Sequence, residues 1–187
     1  MDHRGLVERA QRGDHDAFAV LASASIARLD AAARLILRDG ELARDAVQEA
    51  MVRSWRDLPT LRDVDRFDAW LHRLLVNACL DMMRRRRRRA IEVELTPILI
   101  PMTADFTSDV VDRDLLDRGL RALEPSWRAI VVLHYFLGMP LPEVASALGI
   151  PLGTAKSRLH RAIGLLRVTV DGDAVVETPA VPEGRLA

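Results

Sequence analysis

The sequence predicts an all-α protein: two small helical domains joined by an extended acidic linker, the second of them a helix-turn-helix. Three observations support this. Aromatic residues make up only 4% of the 187 residues while apolar residues make up 49%, a balance that favours helices over sheets. Apolar residues recur at three- and four-residue spacing, as on one face of a helix. Residues 91–109 lose this periodicity and contain two prolines, which is typical of a connector.

The first block of the chain is predicted to form a helical domain over residues 1–89. Its expected helices are Gly5–Arg12, Asp14–Arg38, Glu41–Leu58 and Arg66–Arg88. A loop is expected at Pro59–Asp65, before the last helix. The last helix carries one continuous apolar stripe, which includes Phe67, Leu71, Leu75 and Ala78. Trp55 and Trp70 lie on either side of the loop; core packing is the first interpretation of both, and stacking on an unpaired base is the alternative.

The second block is predicted to form the helix-turn-helix domain, over residues 112–170, after a linker at 90–111. Its expected helices are Asp109–Leu123, Pro125–Leu137, Pro142–Leu148 and Thr154–Val168. A short helix, a glycine turn and a longer helix with a polar beginning are typical of this motif. Thr154 is the expected N-cap of the final helix. Residues 171–187 lack periodicity and are expected to be a disordered tail.

Charge is segregated along the chain although its sum is zero, with 27 basic and 27 acidic residues. Residues 84–89 are six consecutive arginines, and residues 91–117 hold seven acids and one base. Residues 153–168 hold four Lys or Arg residues and no acid. Because a polyanion responds to the local field more than to the total charge, nucleic acid remains a plausible partner for two separate segments.

The final helix presents short polar and basic side chains on the face opposite its apolar residues. Arginine can bind guanine through two hydrogen bonds, and Ser, Thr and Lys can contact bases or phosphates. The residues expected to contact DNA are Thr154, Lys156, Ser157, Arg158, His160 and Arg161. The alternative is a surface helix with ordinary solvated charges.

Two faces of the first block carry further candidate residues. On the third helix Val52 lies among Asp45, Gln48 and Glu49, which indicates a protein-docking face, with a solvated face and a stray valine as the alternative. On the fourth helix Arg73, Val76, Asn77, Leu80 and Arg84 are expected to face away from the core. The arginine run that follows favours phosphate binding, although a basic run alone is a weak signal.

Several classes of function are disfavoured by the sequence. The five histidines are scattered without metal-ligand spacing, and there is no nucleophile motif or phosphate-binding glycine loop. We therefore expect no enzyme activity, small-molecule substrate, cofactor or metal. Cys79 is expected to be a buried thiol, with a redox sensor as the alternative. No segment predicts membrane insertion or a signal peptide, so the cytoplasm is the expected location.

Three stretches in order resemble the sigma-70 family, and specifically its extracytoplasmic-function (ECF) branch. They are RDAVQEAMVRSW at Arg44–Trp55, FDAWLHRLLVNACLDMMRRRRR at Phe67–Arg88, and TAKSRLHRAIGLLR at Thr154–Arg167. The resemblance covers residues 5–168, and three motifs in this order are more specific than any one of them. In one departure, His72 stands where the family often has an aromatic residue.

The resemblance implies a transcription initiation factor that binds core RNA polymerase and recognises and melts promoter DNA. Asp45, Gln48, Glu49 and Val52 match positions that dock on the β′ clamp helices. The −10 element would be bound by Arg62, Asp63, Arg73, Asn77, Arg84 and Arg85, with the loop and Asn77 capturing a flipped base. The final helix would bind the −35 element, its domain would dock on the β flap, and the linker would thread toward the active centre. An anti-sigma factor is the expected inhibitor.

Two other functions remain open from the sequence. A dimeric helix-turn-helix regulator would share the second domain and bind palindromic DNA without polymerase. A purely structural helical adaptor would not need a basic recognition helix. The Asp45–Glu49 face, together with Asn77 and the arginine run, favours the initiation factor over the regulator, which does not need these features.

Overall fold

The computed structural model of the chain describes residues 2–92 and 117–174. Every regular element in these two ranges is helical, and no strand occurs in them, which confirms the predicted fold class. Most of the predicted linker and the tail from residue 175 lie outside the described residues. None of the described helices is long and apolar enough to cross a membrane.

The front domain consists of four helices. They are α1 (His3–Gln11), α2 (His15–Leu37), α3 (Gly40–Asp57) and α4 (Phe67–Glu92), with short 3₁₀ turns at Leu58–Thr60 and Val64–Arg66 in the loop before α4. Helix α2 packs on α1, α3 and α4, and α3 also packs on α4. Fully buried alanines, among them Ala32, Ala33, Ala43 and Ala46, allow these helices to approach closely.

An aspartate begins each of the first three helices. Asp2 accepts hydrogen bonds from the backbone amides of Arg4 and Gly5, and Asp14 accepts one from Ala17. Asp39 accepts from the amides of Glu41 and Leu42 through Oδ1, at 3.1 and 3.2 Å. These carboxylates satisfy amides that have no partner inside the helix and oppose the positive end of its dipole.

The back domain consists of the helical residues 117–122 (α5) and three further helices. These are α6 (Pro125–Val131), which continues as a π-helical turn at Val132–Phe136, α7 (Leu141–Leu148) and α8 (Leu152–Ala174). Helices α6 and α7 both pack on α8. Gly149, between α7 and α8, has a positive φ of 64°, a conformation that glycine adopts without steric cost. The predicted helix-turn-helix is therefore present.

The predicted limits of α8 were wrong at both ends. The helix begins at Leu152, and the carbonyl of Pro151 accepts the amide of Ala155 at 3.0 Å. Thr154 is thus inside the first turn and is not the N-cap, because Pro151 already precedes the first helical residue. At the other end the helix runs to Ala174 and includes the first residues of the predicted tail.

One face of α4 is also more buried than the sequence predicts. Val76 is 0% exposed, and Leu80 is half-buried, although both were expected to face away from the core. Three helices pack on α4, namely α2, α3 and α7 of the back domain, so more than one of its faces is covered. The apolar periodicity of a single helix does not reveal that a helix from a distant part of the chain also packs on it.

Candidate nucleic-acid interface and docking surface

The outer face of α3 brings together the four residues proposed for protein docking. Asp45, Gln48 and Val52 are exposed, Val52 by 58%, and the half-exposed Glu49 accepts a hydrogen bond from Arg53 at 2.6 Å. The opposite side of the same helix is buried against α2 and α4. An exposed valine among acidic and amide side chains gives this surface an apolar centre with a polar rim, as in many protein interfaces.

A shallow, mostly apolar groove lies beside this face, between α2 and α3. Its lining residues are Ile26, Ala27, Asp30, Arg44, Val47, Gln48 and Met51. Ile26 is 49% exposed, so its side chain is accessible in this groove. Ile26 and Met51 were not among the candidate residues predicted from the sequence.

The surface of α4 carries the second group of candidates. Arg73 is exposed and Asn77, one helical turn further, is half-buried. Arg84–Arg88 are all exposed; among them Arg84 pairs with Asp81 at 3.0 Å and Arg86 pairs with Asp39 at 3.1 Å. The run therefore begins about 10 Å along the helix from Asn77, at 1.5 Å per residue.

The loop before α4 is held in place by side chains of α1. Gln11 donates from Nε2 to the carbonyls of Leu58 and Leu61, at 3.2 and 2.7 Å. Arg4 pairs with Asp65 at 2.9 Å. These contacts leave Arg62 and Asp63 exposed at the surface. Gln11 was missed from the sequence because it acts across 47 and 50 residues of chain.

The polar face of α8 is the third group. Lys156, Ser157, His160 and Arg161 are exposed, whereas Thr154 and Arg158 are half-exposed. The hydroxyl of Ser157 donates to the carbonyl of Thr154 at 3.0 Å, and Arg158 reaches the hydroxyl of Ser126 on α6 at 3.5 Å. The other face of α8 is buried through Ala155, Leu159 and Ala162. The basic face of this helix is thus fixed by packing and turned to solvent.

The front domain also contains the buried Cys79 and the half-buried His72, both of which titrate away from their ordinary ranges. Burial raises the pKa of the Cys79 thiol to about 12, which fits the predicted buried, unreactive cysteine. Burial also lowers the pKa of His72, whose Nδ1 has no hydrogen-bond partner. No cluster of metal-ligating side chains is present in the described ranges.

Comparison with protein families matches both halves of the chain separately. Residues 21–89 match the model of sigma-70 region 2, and residues 113–166 match a model of sigma-70 region 4. The chain is 37% identical to the RNA polymerase sigma-E factor of Streptomyces coelicolor over 72% of its own length and 75% of that protein. It is 36% identical to the ECF RNA polymerase sigma factor SigM of Mycobacterium tuberculosis, over 80% and 75% of the two chains.

Solved structures give the same result for the fold. CnrH, determined in complex with the cytosolic domain of CnrY, matches with a TM-score of 0.66 and 29% identity, over 91% of this chain and 98% of CnrH. The sigma factor RpoE of Bartonella quintana, determined in complex with the anti-sigma factor NepR, matches with a TM-score of 0.69 and 23% identity, over 83% and 98%. Both likenesses extend over the front and back domains together.

Proposed function

Because this chain belongs to the ECF branch of the sigma-70 family, we propose that it binds core RNA polymerase, directs it to promoters and takes part in melting them. The observation that carries the proposal is the occurrence of regions 2 and 4 in order in one chain, each with an exposed polar face. We assign residues 1–89 to polymerase and −10 binding, 90–111 to the linker, 112–170 to −35 binding and 171–187 to a tail.

The polymerase would dock on the outer face of α3. Asp45, Gln48 and Glu49 provide the polar contacts to the β′ clamp helices, and Val52 provides the apolar centre. The groove between α2 and α3 adjoins this face, so Ile26 is placed to accept an apolar side chain of the polymerase. The back domain would dock on the β flap.

The −10 element would bind along the loop and α4. Arg62 and Asp63 are exposed in the loop, and Asn77 on α4 has one donor and one acceptor group for an unpaired base. Unstacking a base costs a few kcal/mol, which the hydrogen bonds of the capturing site must offset. Arg73, Arg84 and Arg85 would bind backbone phosphates on either side.

The −35 element would bind along α8 as a duplex. Arg158, Arg161 and Lys156 can contact guanines or phosphates, and Thr154, Ser157 and His160 add shorter polar contacts. CnrH is similar to this chain and was determined in complex with the cytosolic domain of CnrY, and RpoE of Bartonella quintana is a sigma factor in complex with the anti-sigma factor NepR, which supports an anti-sigma factor as a partner of this chain. We propose no cofactor or catalytic residue, and location with the polymerase in the cytoplasm.

The decisive experiment adds the purified full chain to core RNA polymerase with genomic DNA and maps the 5′ ends of the transcripts. We expect a set of start sites that core polymerase alone does not produce, each preceded by shared −10 and −35 sequences. A dimeric helix-turn-helix regulator would instead bind palindromic DNA without polymerase and produce no new start sites. That result would contradict the proposed function.

A further inference from the structure

Two consecutive hydrogen bonds join the start of α6 to the polar face of α8. The carboxylate of Glu124, the residue before α6, accepts a hydrogen bond from the hydroxyl of Ser126 at 2.8 Å. The oxygen of that hydroxyl in turn accepts a long hydrogen bond, at 3.5 Å, from Nη1 of Arg158. Helix α6 packs on α8, which brings Ser126 beside Arg158 although they are 32 residues apart in the chain. The guanidinium of Arg158 therefore has a partner on a second helix.

Glu124 fixes the role of the Ser126 hydroxyl in this contact. A serine hydroxyl has one proton to donate and two lone pairs that accept. Because Glu124 accepts the proton, the hydroxyl oxygen can only accept from Arg158, and a guanidinium can only donate. Glu124 is exposed whereas Ser126 is half-buried, so the group that contacts Arg158 directly is the better shielded of the two.

The contact orients Arg158 without neutralising its charge. None of the ion pairs found in residues 2–92 and 117–174 joins Arg158 to Glu124 or to another acid. A carboxylate bound directly would compete with DNA for the guanidinium more strongly than a neutral hydroxyl does. Arginine has five N–H donors, and binding to O6 and N7 of guanine uses two of them. Arg158 can therefore keep its contact with Ser126 while it binds a base.

The other basic residues of this face are not held in the same way. Lys156, His160 and Arg161 are exposed, and within the two described ranges none of them has a hydrogen bond or ion pair from its side chain. A long side chain loses rotamer freedom when it binds, and one that is already held loses less. Arg158 is therefore the basic residue of the face whose orientation is fixed before DNA arrives.

We propose that Glu124 and Ser126 are positioning residues for base recognition, which hold the guanidinium of Arg158 in the orientation that reads one base pair of the −35 element. Sequence discrimination by the back domain then depends on the start of α6 as well as on α8. The proposal rests on the proposed function for the identity of the DNA, whereas the ordering of Arg158 is a property of the free chain.

The test uses variants of the full chain that each change one link. Ser126→Ala removes the hydroxyl that accepts from Arg158, and Ser126→Thr keeps a hydroxyl there. Glu124→Ala leaves the hydroxyl but releases its proton, so its effect should be smaller. The matched control is Thr169→Ala, which removes a hydroxyl of the same domain that donates within α8, to the carbonyl of Leu165 at 3.0 Å. Circular dichroism verifies that every variant keeps the helix content of the original chain.

The first measurement is the mobility of the Arg158 side chain in the free protein, by ¹⁵N relaxation of its Nε–H group. We expect the order of this group to fall in Ser126→Ala toward that of Arg161, which lacks such a partner. Ser126→Thr and Thr169→Ala should leave it unchanged. If Arg158 is equally ordered in Ser126→Ala and in the original chain, the proposal is wrong before any DNA is added.

The second measurement is discrimination between DNA sequences. The original chain, assembled with core polymerase, selects from a pool of random-sequence duplexes, and the enriched sequence and its single-base substitutions then serve as probes. Ser126→Ala should lose discrimination about threefold to tenfold, the cost of ordering one long side chain, at the same base position as Arg158→Ala. In the Arg158→Ala background, Ser126→Ala should cost nothing more, since residues that act through one contact are not additive.

Additive losses in the double variant would contradict the proposal, as would a loss at a different base position, because Ser126 would then act independently of Arg158. The two proposals fail separately. If a sequence is enriched and Ser126→Ala discriminates as well as the original chain, only the positioning role is wrong. If Ser126→Ala frees Arg158 but the original chain enriches no sequence, the ordering contact stands, and the base-reading role fails together with the proposed function.

Discussion

The arginine run of α4 and the basic face of α8 are both positively charged, but they differ in whether carboxylates of the protein already pair with their arginines. In the run, Arg84 and Arg86 are already paired with Asp81 and Asp39. On α8, by contrast, none of the ion pairs found in residues 2–92 and 117–174 involves a side chain of the helix. An arginine with a carboxylate partner must exchange it for a phosphate, so its net gain on binding DNA is smaller.

The largest effect is expected where neither basic surface is involved, on the acidic face of α3. Asp45→Arg with Glu49→Arg should abolish binding to core polymerase. The reason is that the introduced arginines would repel the basic groups that the two carboxylates are expected to contact. Co-elution of the chain with polymerase measures this. Glu8→Arg with Asp16→Arg makes the same change of charge elsewhere on the front domain and should leave co-elution intact. Retained binding by the first variant would remove α3 from the docking surface.

The next effect concerns base recognition by α8. Arg158→Ala should weaken binding to promoter DNA by about 1–3 kcal/mol if the side chain reads a base, and should relax specificity at one position of the −35 element. Arg167→Ala, an exposed arginine of the same helix beyond its polar beginning, is the control and should weaken binding to all sequences equally or not at all. Equal losses in the two variants would mean that Arg158 only contributes charge.

A smaller effect tests the comparison between paired and unpaired arginines directly. Arg85→Ala with Arg87→Ala should reduce the salt dependence of DNA binding by a slope of about 2, close to one unit for each phosphate contact. Arg84→Ala with Arg86→Ala should reduce it less, since these two side chains already have carboxylate partners. Titration of affinity against salt concentration gives both slopes. Identical slopes would show that the internal ion pairs do not persist in solution.

The last effect concerns the pH dependence of stability, in the core of the front domain, and is absent at neutral pH. The pKa of Cys79 is raised from the ordinary 9.0 to about 12, because burial disfavours the thiolate. Above about pH 9 the unfolded chain loses this proton before the folded chain does, so the stability associated with the thiol should fall as the pH rises from 9 toward 12. Comparison of melting temperatures with Cys79→Ala across this range isolates the effect. A parallel pH dependence in the two proteins would contradict it.

The sequence predicted the helices well because their periodicity is local. Helix α3 and α7 were placed within one residue at each end, since apolar spacing and flanking turn residues both act over a few positions. The start of α8 was misplaced because Pro151 and Thr154 are both acceptable before a helix, and only the hydrogen bond of Ala155 to Pro151 distinguishes them. The basic face of α8 was still predicted as exposed, because the residues that share one face of a helix depend on the helical period and not on where the helix begins.

Contacts between distant segments could not be predicted. Arg38 pairs with Asp117 at 2.6 Å although the two are separated by 79 residues, and neither belongs to a recognised motif. No charge pattern or periodicity in the sequence therefore relates them. The burial of Val76 was not predicted either, because the apolar stripe of one helix does not show that three helices, α2, α3 and α7, pack on α4. Ile26 was missed for a different reason: a single exposed apolar residue has no periodic signal, and only the groove around it shows that it is accessible.

The two carboxylate oxygens of Asp39 hold two different helices, which separates the proposed DNA contacts of α4 from the start of α3. Its Oδ1 holds the first amides of α3, while its Oδ2 holds Arg86 of α4. If a phosphate binds Arg86, Oδ2 of Asp39 loses its partner, but Oδ1 still accepts hydrogen bonds from the first amides of α3. The start of α3 keeps its cap in either state, so a DNA strand that binds and leaves at the arginines would not loosen the helix that we propose as the polymerase-docking face.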